Sequence, residues 1–207
     1  MDPAVVALVV ATVLVVATAA VVLAHNRFVR QGQLIDNAWA NVETELRRRY
    51  DLIPNLVETV RGYATHERDT LTRVVDARTH AAANHGAPDA QAGDENTLVA
   101  ALRGLLAVVE GYPQLRADRA FTDLAHQLTA TEDRIQAARR FYNNNVRDYN
   151  QRVRAVPTNL VARVFGFGER PYFEIDRAVG AGSAPQVRLG PTPPGGPQAQ
   201  ADGGGAP

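Results

Sequence analysis

Asp118 to Pro157 reads DRAFTDLAHQLTATEDRIQAARRFYNNNVRDYNQRVRAVP, with apolar residues at Phe121, Leu124, Leu128, Ile135, Ala138, Tyr142, Val146, Tyr149, Val153 and Val156. Steps of three, four and seven hold these side chains on one face of an α-helix for about ten turns. No alternating strand pattern competes. Asp118 is placed to cap the start and Pro157 to stop the end. A helix of this length with one apolar face has to bury that face against other elements, so the stripe already asks for partners.

Working outward, the same spacing runs from Phe28 through Ile35, Trp39, Val42, Leu46, Tyr50, Ile53, Val57, Val60, Ala64 and Leu71 to Val74. Pro54 falls inside this stretch. It would remove a backbone donor from a helix interior, but it fits a first turn if Asp51 caps a new helix. The apolar phase passes through it almost unbroken, so a kinked helix and a turn between two helices are both open. A clear break follows at His85-Gly86-Ala87-Pro88, and the small, polar segment to Gly93 reads as loop. Asp94 is then expected to open a helix carrying Leu98, Ala101, Leu102, Leu105, Val108 and Val109, stopped at Gly111-Tyr112-Pro113. The fold class that follows is all-α, an up-and-down four-helix bundle of long antiparallel helices over residues 25–157, attached to one N-terminal transmembrane helix.

The two ends differ from this body. Ala4 to Ala24 contains only Ala, Val, Leu and Thr. These 21 residues make about 32 Å of helix, enough to span a bilayer. A signal peptide is the rival, with Ala17-Thr18-Ala19 as a cleavage site, but only Met1, Asp2 and Pro3 precede the run and none is basic. Residues 1–24 are therefore read as a retained anchor, lodged in the lipid bilayer through residues 4–24. Arg27 and Arg30 follow it, and the positive-inside rule puts the N-terminus outside and the bundle in the cytoplasm, at the cell membrane. After the bundle, residues 158–179 hold Phe165, Phe167, Tyr172 and Phe173 among Gly and Pro, an aromatic strap expected to pack on a bundle face or dock on a partner. Residues 180–207, with 8 Gly and 6 Pro, carry too little apolar side chain to offset ordering entropy and are predicted disordered.

The 22 basic residues are all arginine and balance 22 acidic ones. Such a neutral chain lacks the electrostatic footprint of nucleic-acid binding. With no cysteine, disulfides, thiolate metal sites and cysteine nucleophiles are excluded.

Several short motifs carry a family resemblance. They are Asn37-Ala38-Trp39, Arg48-Arg49-Tyr50-Asp51-Leu52-Ile53-Pro54-Asn55-Leu56-Val57, Gly62-Tyr63-Ala64 with His66-Glu67, Ala77-Arg78, Glu95-Asn96 and the Tyr112-Pro113 break. Further along stand Thr131-Glu132-Asp133-Arg134-Ile135, Ala138-Arg139-Arg140-Phe141-Tyr142-Asn143, Pro157 with Asn159-Leu160, Phe165-Gly166-Phe167 and Phe173-Glu174. In this order, over about residues 25 to 190, the chain resembles the LemA family of bacterial membrane proteins. Val156 departs from it where an aromatic usually precedes the proline, and Asp133 where asparagine is usual. The resemblance implies a four-helix bundle on a single N-terminal span with the N-terminus outside. It implies no established biochemical activity. Family genes near those of TPM-domain and HtpX-like membrane proteins suggest an envelope or membrane quality-control setting.

Searched for chemistry, the sequence yields fragments. His66-Glu67 begins a zinc-protease pattern, but Thr70 stands where the second histidine belongs. Asp123 and His126 are spaced like one half of a di-iron bundle site, with no second Glu-x-x-His. Asp76 and His80 fit a surface hydrogen bond. Glu132, Arg134 and Arg139 beside Asn143-Asn144-Asn145 would line a polar groove or form interhelical pairs. Arg47-Arg48-Arg49 would meet anionic lipid only if the helix folded back, since a straight helix carries them about 35 Å from the membrane. No phosphate loop and no nucleophile elbow occurs. The reading is a membrane-anchored scaffold or interaction module, not an enzyme, without catalytic, metal or cofactor residues. Its interaction residues are Phe165, Phe167, Tyr172 and Phe173. Its partners are the bilayer and an unidentified protein, with self-association open and nucleic acid excluded. The alternative is a metal-binding or enzymatic bundle using His66, Glu67, Asp123 and His126.

Overall fold

The computed structural model describes residues 2–175; the predicted disordered tail and the last four residues of the predicted strap lie outside them. Among the described residues the protein is all-α, with six helices: α1 (Pro3–Tyr63), α2 (Arg68–Ala83), α3 (Pro88–Val109), α4 (Pro113–Arg116), α5 (Arg119–Arg154) and α6 (Thr158–Phe165). The alternation in direction is read from cross-helix pairs. Tyr63 Oη donates to Asp118 Oδ2 at 2.8 Å, Arg134 Nε to Glu45 Oε2 at 3.1 Å, and Phe28 meets Tyr149 at a ring separation of 5.7 Å. So α5 runs antiparallel to α1. Likewise Arg78 reaches Tyr50 and Asn84 reaches Asp94, which turns α2 against α1 and α3 against α2. All four long segments feed one core, from Phe28 and Val42 through Val74, Leu98 and Leu102 to Ile135 and Val146.

The apolar segment is not a separate element. Asp2 accepts from the Ala4 amide, Pro3 takes the first helical position, and the helix then runs 61 residues without interruption, about 90 Å. It is the one helix among the described residues long and apolar enough to cross a membrane, and its apolar window is exposed.

Pro54 sits inside α1, and neither a turn nor an Asp51 cap forms there. The reason lies on another helix. Proline lacks the amide that residue 54 would offer to the Tyr50 carbonyl. Arg78 of α2 donates its Nε to that carbonyl at 3.2 Å, and the freed acceptor is satisfied. A second difference concerns α3, which opens at Pro88 and not at Asp94. Proline suits the first helical position, Asp89 favours the positive end of the helix dipole, and Gln91 and Ala92 are buried, so the segment expected as loop forms the first turns. At α5 the expected cap holds: Asp118 Oδ1 accepts from the Phe121 amide at 3.0 Å. That bond, followed by one from Tyr63, holds the Asp118 carboxyl below its usual range. The stripe ends early, because α5 stops at Arg154 and leaves Val156 81% exposed.

The four segments overlap only in the half of the body remote from residue 25. There the single-turn α4 buries Leu115 across the end. Nearer residue 25, α1 and α5 run as a pair, and α6 with residues 167–175 closes over them. Gly166, at φ 73°, makes the link: it caps α6 in the left-handed region, and the Phe167 amide reaches back to the Ala162 carbonyl at 2.8 Å.

Removing the Arg78 donor by Arg78→Ala is expected to cost about 1 kcal/mol, the penalty of leaving a partly buried carbonyl unpaired. In a Pro54→Ala background, where an amide is restored, the same change should cost measurably less. Denaturant midpoints of the four proteins in the cycle check this.

Candidate functional site

Two polar constructions stand out in the body: an ion cluster sealed in the core, and a clamp that holds the strap. In the first, Arg49 falls on the apolar stripe of α1 between Leu46 and Ile53 and is fully buried. Its Nη1 donates to Glu132 Oε2 of α5 at 3.0 Å and its Nη2 to Glu95 Oε2 of α3, both carboxylates buried. Glu95 also accepts from the Tyr50 hydroxyl and from Gln91 Nε2, the latter at 2.9 Å, while Gln136 Nε2 donates to Glu132 Oε1 at 2.7 Å. Gln91 further donates to the Ala81 carbonyl at 3.0 Å and so ties α2 in. Two carboxylates against one guanidinium leave the cluster with one excess negative charge. Burial first, and then the neighbouring Glu95, drive the Tyr50 hydroxyl upward, so it remains a proton donor to that charge.

Buried ion pairs of this kind contribute little net stability over an apolar core, but breaking one leaves an uncompensated charge. Their geometry matters more, because one planar fork demands that three helices meet at one height. Sequence reasoning passed over Arg49 and Glu95 as site residues. The available signal was an ionisable side chain in phase with an apolar stripe: Leu46, Arg49 and Ile53, then Glu95, Leu98 and Leu102, then Leu128, Glu132 and Ile135.

In the second construction, Asn143 and Asn150 of α5 each pair with both backbone groups of one strap residue. Asn143 Nδ2 donates to the Phe173 carbonyl and its Oδ1 accepts from the Phe173 amide, both at 2.9 Å. Asn150 treats Arg170 the same way, with 2.9 Å to the carbonyl and 2.8 Å from the amide. The spacings agree. Seven residues of helix rise about 10.5 Å, and three residues of extended chain span about 10 Å. Each asparagine thus replaces the neighbouring strand that an extended segment would otherwise need. Between the clamps the Tyr142 hydroxyl donates to the Pro171 carbonyl at 2.9 Å, its pKa pushed up to about 12, chiefly by burial. Beyond them Arg139 donates to the Ile175 carbonyl.

The clamp decides where the aromatic residues go. Phe173 is wholly buried, edge-on to Trp39 at 5.1 Å, and Trp39 in turn meets Tyr142 at 5.3 Å. Phe167 is half-buried and stacked on Phe28 at 5.0 Å. Phe165 and Tyr172 remain 48% and 38% exposed. Of the four aromatic residues singled out in the sequence, two face inward and two outward.

The other fragments are scattered. His66 lies exposed in the turn between α1 and α2, and Asp123 and His126 lie exposed on α5. No group of three potential metal ligands forms among the described residues. Glu132, Arg134 and Arg139 go separately to Arg49, Glu45 and the strap, so they do not line a groove with Asn143-Asn144-Asn145. Arg49 leaves the basic triplet for the core, which removes it from any lipid surface. Between α2 and α3 there is a groove of about 570 Å³ lined by Arg73, Asp76, His80 and Asp94 above Ala77 and Gly104.

Fold and site together define a class: an all-α body, keyed by a buried arginine–glutamate cluster and strapped by its own C-terminal segment, on a helix apolar enough for a membrane. The LemA family profile matches residues 38–189, and the chain belongs to that family. Among curated relatives, two magnetosome proteins MamQ of Paramagnetospirillum magneticum are each 28% identical over 181 residues, covering 75% of this chain and 66% of the relative. The protein LemA of Metamycoplasma hominis is 24% identical over 139 residues, covering 67% of this chain and 63% of the relative. The chain thus spans just under two thirds of the length of these relatives.

Two outcomes are expected from the site. Arg49→Met should lower unfolding free energy by about 3–5 kcal/mol, and Arg49→Met/Glu95→Gln/Glu132→Gln should recover most of it, read from denaturant midpoints. Asn143→Ala/Asn150→Ala should loosen the strap, shifting the emission of Trp39, the single tryptophan, toward longer wavelength while far-ultraviolet circular dichroism stays unchanged.

Proposed function

We propose that this protein is a membrane-anchored scaffold, a non-enzymatic body that presents interaction surfaces at fixed distances from the bilayer. In this reading residues 4–24 span the cell membrane once, the N-terminus lies outside, and the body stands in the cytoplasm. One observation carries it: the apolar segment and the first core helix are a single unbroken α1. A joint there would let the body tumble; a continuous helix fixes both its height and its facing. From residue 25 the helix extends about 58 Å, so surfaces along it are ranked by distance from the lipid. Arg27 and Arg30 immediately after the apolar run support the inward orientation. The relatives support a reusable body: related chains carry a magnetosome name in one organism and stand as the protein LemA in a mycoplasma. An envelope or membrane-protein quality-control setting fits the same anchored geometry.

The chain has no cysteine, so Ala90→Cys at an exposed position of α3 provides a single thiol. It should resist a membrane-impermeant maleimide in intact cells and react after lysis. Labelling of intact cells would reverse the orientation. For the scaffold role, photo-crosslinkers at Thr97 in the α2–α3 groove and at exposed Tyr172 are expected to yield reproducible protein adducts in cells, and no adduct from either position would overturn it.

A further inference from the structure

The half of the body nearest the apolar run carries a surface the scaffold reading leaves unused. α6 is eight residues long, Thr158–Phe165, and it turns only part of its apolar surface inward. Ala162 is buried, whereas Leu160 is 59%, Val164 78% and Phe165 48% exposed. Val156, in the bend between α5 and α6, adds a fourth exposed apolar side chain just before them. Four large apolar side chains on so short a segment are out of place in water.

The height of this segment is fixed by its contacts. Phe165 and Phe167 meet the His25 ring at 4.7 and 5.4 Å. His25 directly follows Ala24, the last residue of the apolar run. α5 ends at the same level, since Phe28 faces Tyr149 and the helices run antiparallel. α6 therefore lies where hydrocarbon gives way to headgroups, a layer several ångströms deep on each side of the bilayer.

Basic charges predominate beside it, with Asp148 and Glu169 as acidic neighbours. Arg27 and Arg30 of α1, Arg152 of α5 and Arg163 of α6 gather at this end, and Arg27, Arg30 and Arg163 form no ion pair among the described residues. Burial first, and then the repulsion of Arg27, hold Arg152 below its ordinary value; Asp148 opposes this and Arg30 adds a smaller repulsion, so the three guanidiniums sense one another. Arg154 is different, for Glu169 pairs with it. An apolar row edged by unpaired arginines is the pattern of a helix lying in a membrane interface, where the row enters the acyl boundary and the arginines meet anionic headgroups.

We propose that α6 is an interfacial foot: the row Leu160, Val164 and Phe165, with Val156 before it, inserts into an anionic lipid surface beside the span, with Arg27, Arg30, Arg152 and Arg163 at the headgroups. The foot rests on the reading that residues 4–24 cross the bilayer. It gives the body a second attachment, so the protein leans on the membrane and does not merely hang from it.

The test uses the full chain in vesicles, each variant bearing one fluorophore on an introduced cysteine: Leu160→Cys, Val164→Cys, Leu14→Cys within the run, and Phe141→Cys at an exposed position of α5. The vesicles are phosphatidylcholine with or without phosphatidylglycerol, and the quenchers are nitroxides on shallow or deep lipid positions and aqueous iodide. Labels at 160 and 164 should lose most of their fluorescence to the shallow nitroxide, more so with phosphatidylglycerol. The label at 14 should lose it to the deep one, and the label at 141 only to iodide. Arg27→Gln/Arg30→Gln should abolish the gain from phosphatidylglycerol. If 14 is quenched by lipid while 160 and 164 behave like 141, the foot is overturned and the anchor stands. If 14 also escapes lipid quenching, the anchor fails and the foot with it. Labels at 160 and 164 shielded from both iodide and lipid would mean that a second copy or another protein covers the row, which overturns the foot as well. Equal quenching in neutral and anionic vesicles would overturn the role of the arginines.

Discussion

A guanidinium without water has to be met by acceptors in its own plane, and Arg49 finds them on two other helices. That demand ranks above the surrounding apolar contacts in specificity, because leucine and valine tolerate sliding by part of a turn and a forked ion pair does not. Once Glu95 and Glu132 are held at the height of Arg49, the registers of α3 and α5 against α1 are settled. Tyr50 and Gln91, attached to the same carboxylate, then bring in the last turn of α2 at Ala81. The rest of the body can be derived from that meeting point outward, toward α4 at one end and toward the strap at the other.

The two halves of the body solve the same problem differently. Where four helical segments overlap, each stripe is covered by another stripe. Nearer the apolar run only α1 and α5 remain, and their shared groove is covered by α6 and a non-helical segment. An extended chain on a helix leaves its amides and carbonyls without a ladder, a cost that keeps such segments rare in cores. Asn143 and Asn150 remove that cost at two points, and Phe173 supplies the apolar contact between the strap and Trp39 of α1.

The long stripes of α1 and α5 were legible because period and length are local properties, and so was the Asp118 cap, whereas α5 stops at Arg154, short of the expected end at Pro157. Pro54 was not decidable from the sequence, since the donor that keeps the helix whole sits 24 positions away on Arg78. The start of α3 was misjudged because Gln91 and Ala92, small or polar in sequence, are held by tertiary burial. Among the site residues, the aromatic strap announced itself by composition, but which rings turn inward depends on the two asparagines beneath. Arg49 was visible as a charge in an apolar phase, and nothing local says that Glu95 and Glu132 answer it.

The continuity of α1 has a rotational meaning as well as an axial one. Each residue of an α-helix turns the chain by about 100°. Adding or removing one residue between Ala24 and Phe28 would therefore swing the whole body around the helix axis relative to the apolar run, carrying α6 and its arginines to a different side. A change of three or four residues would nearly restore the bearing while altering the height by about one turn. Length in this short stretch is thus quantised by the helix, and tolerance to insertion should follow the helical repeat, not the number of residues added.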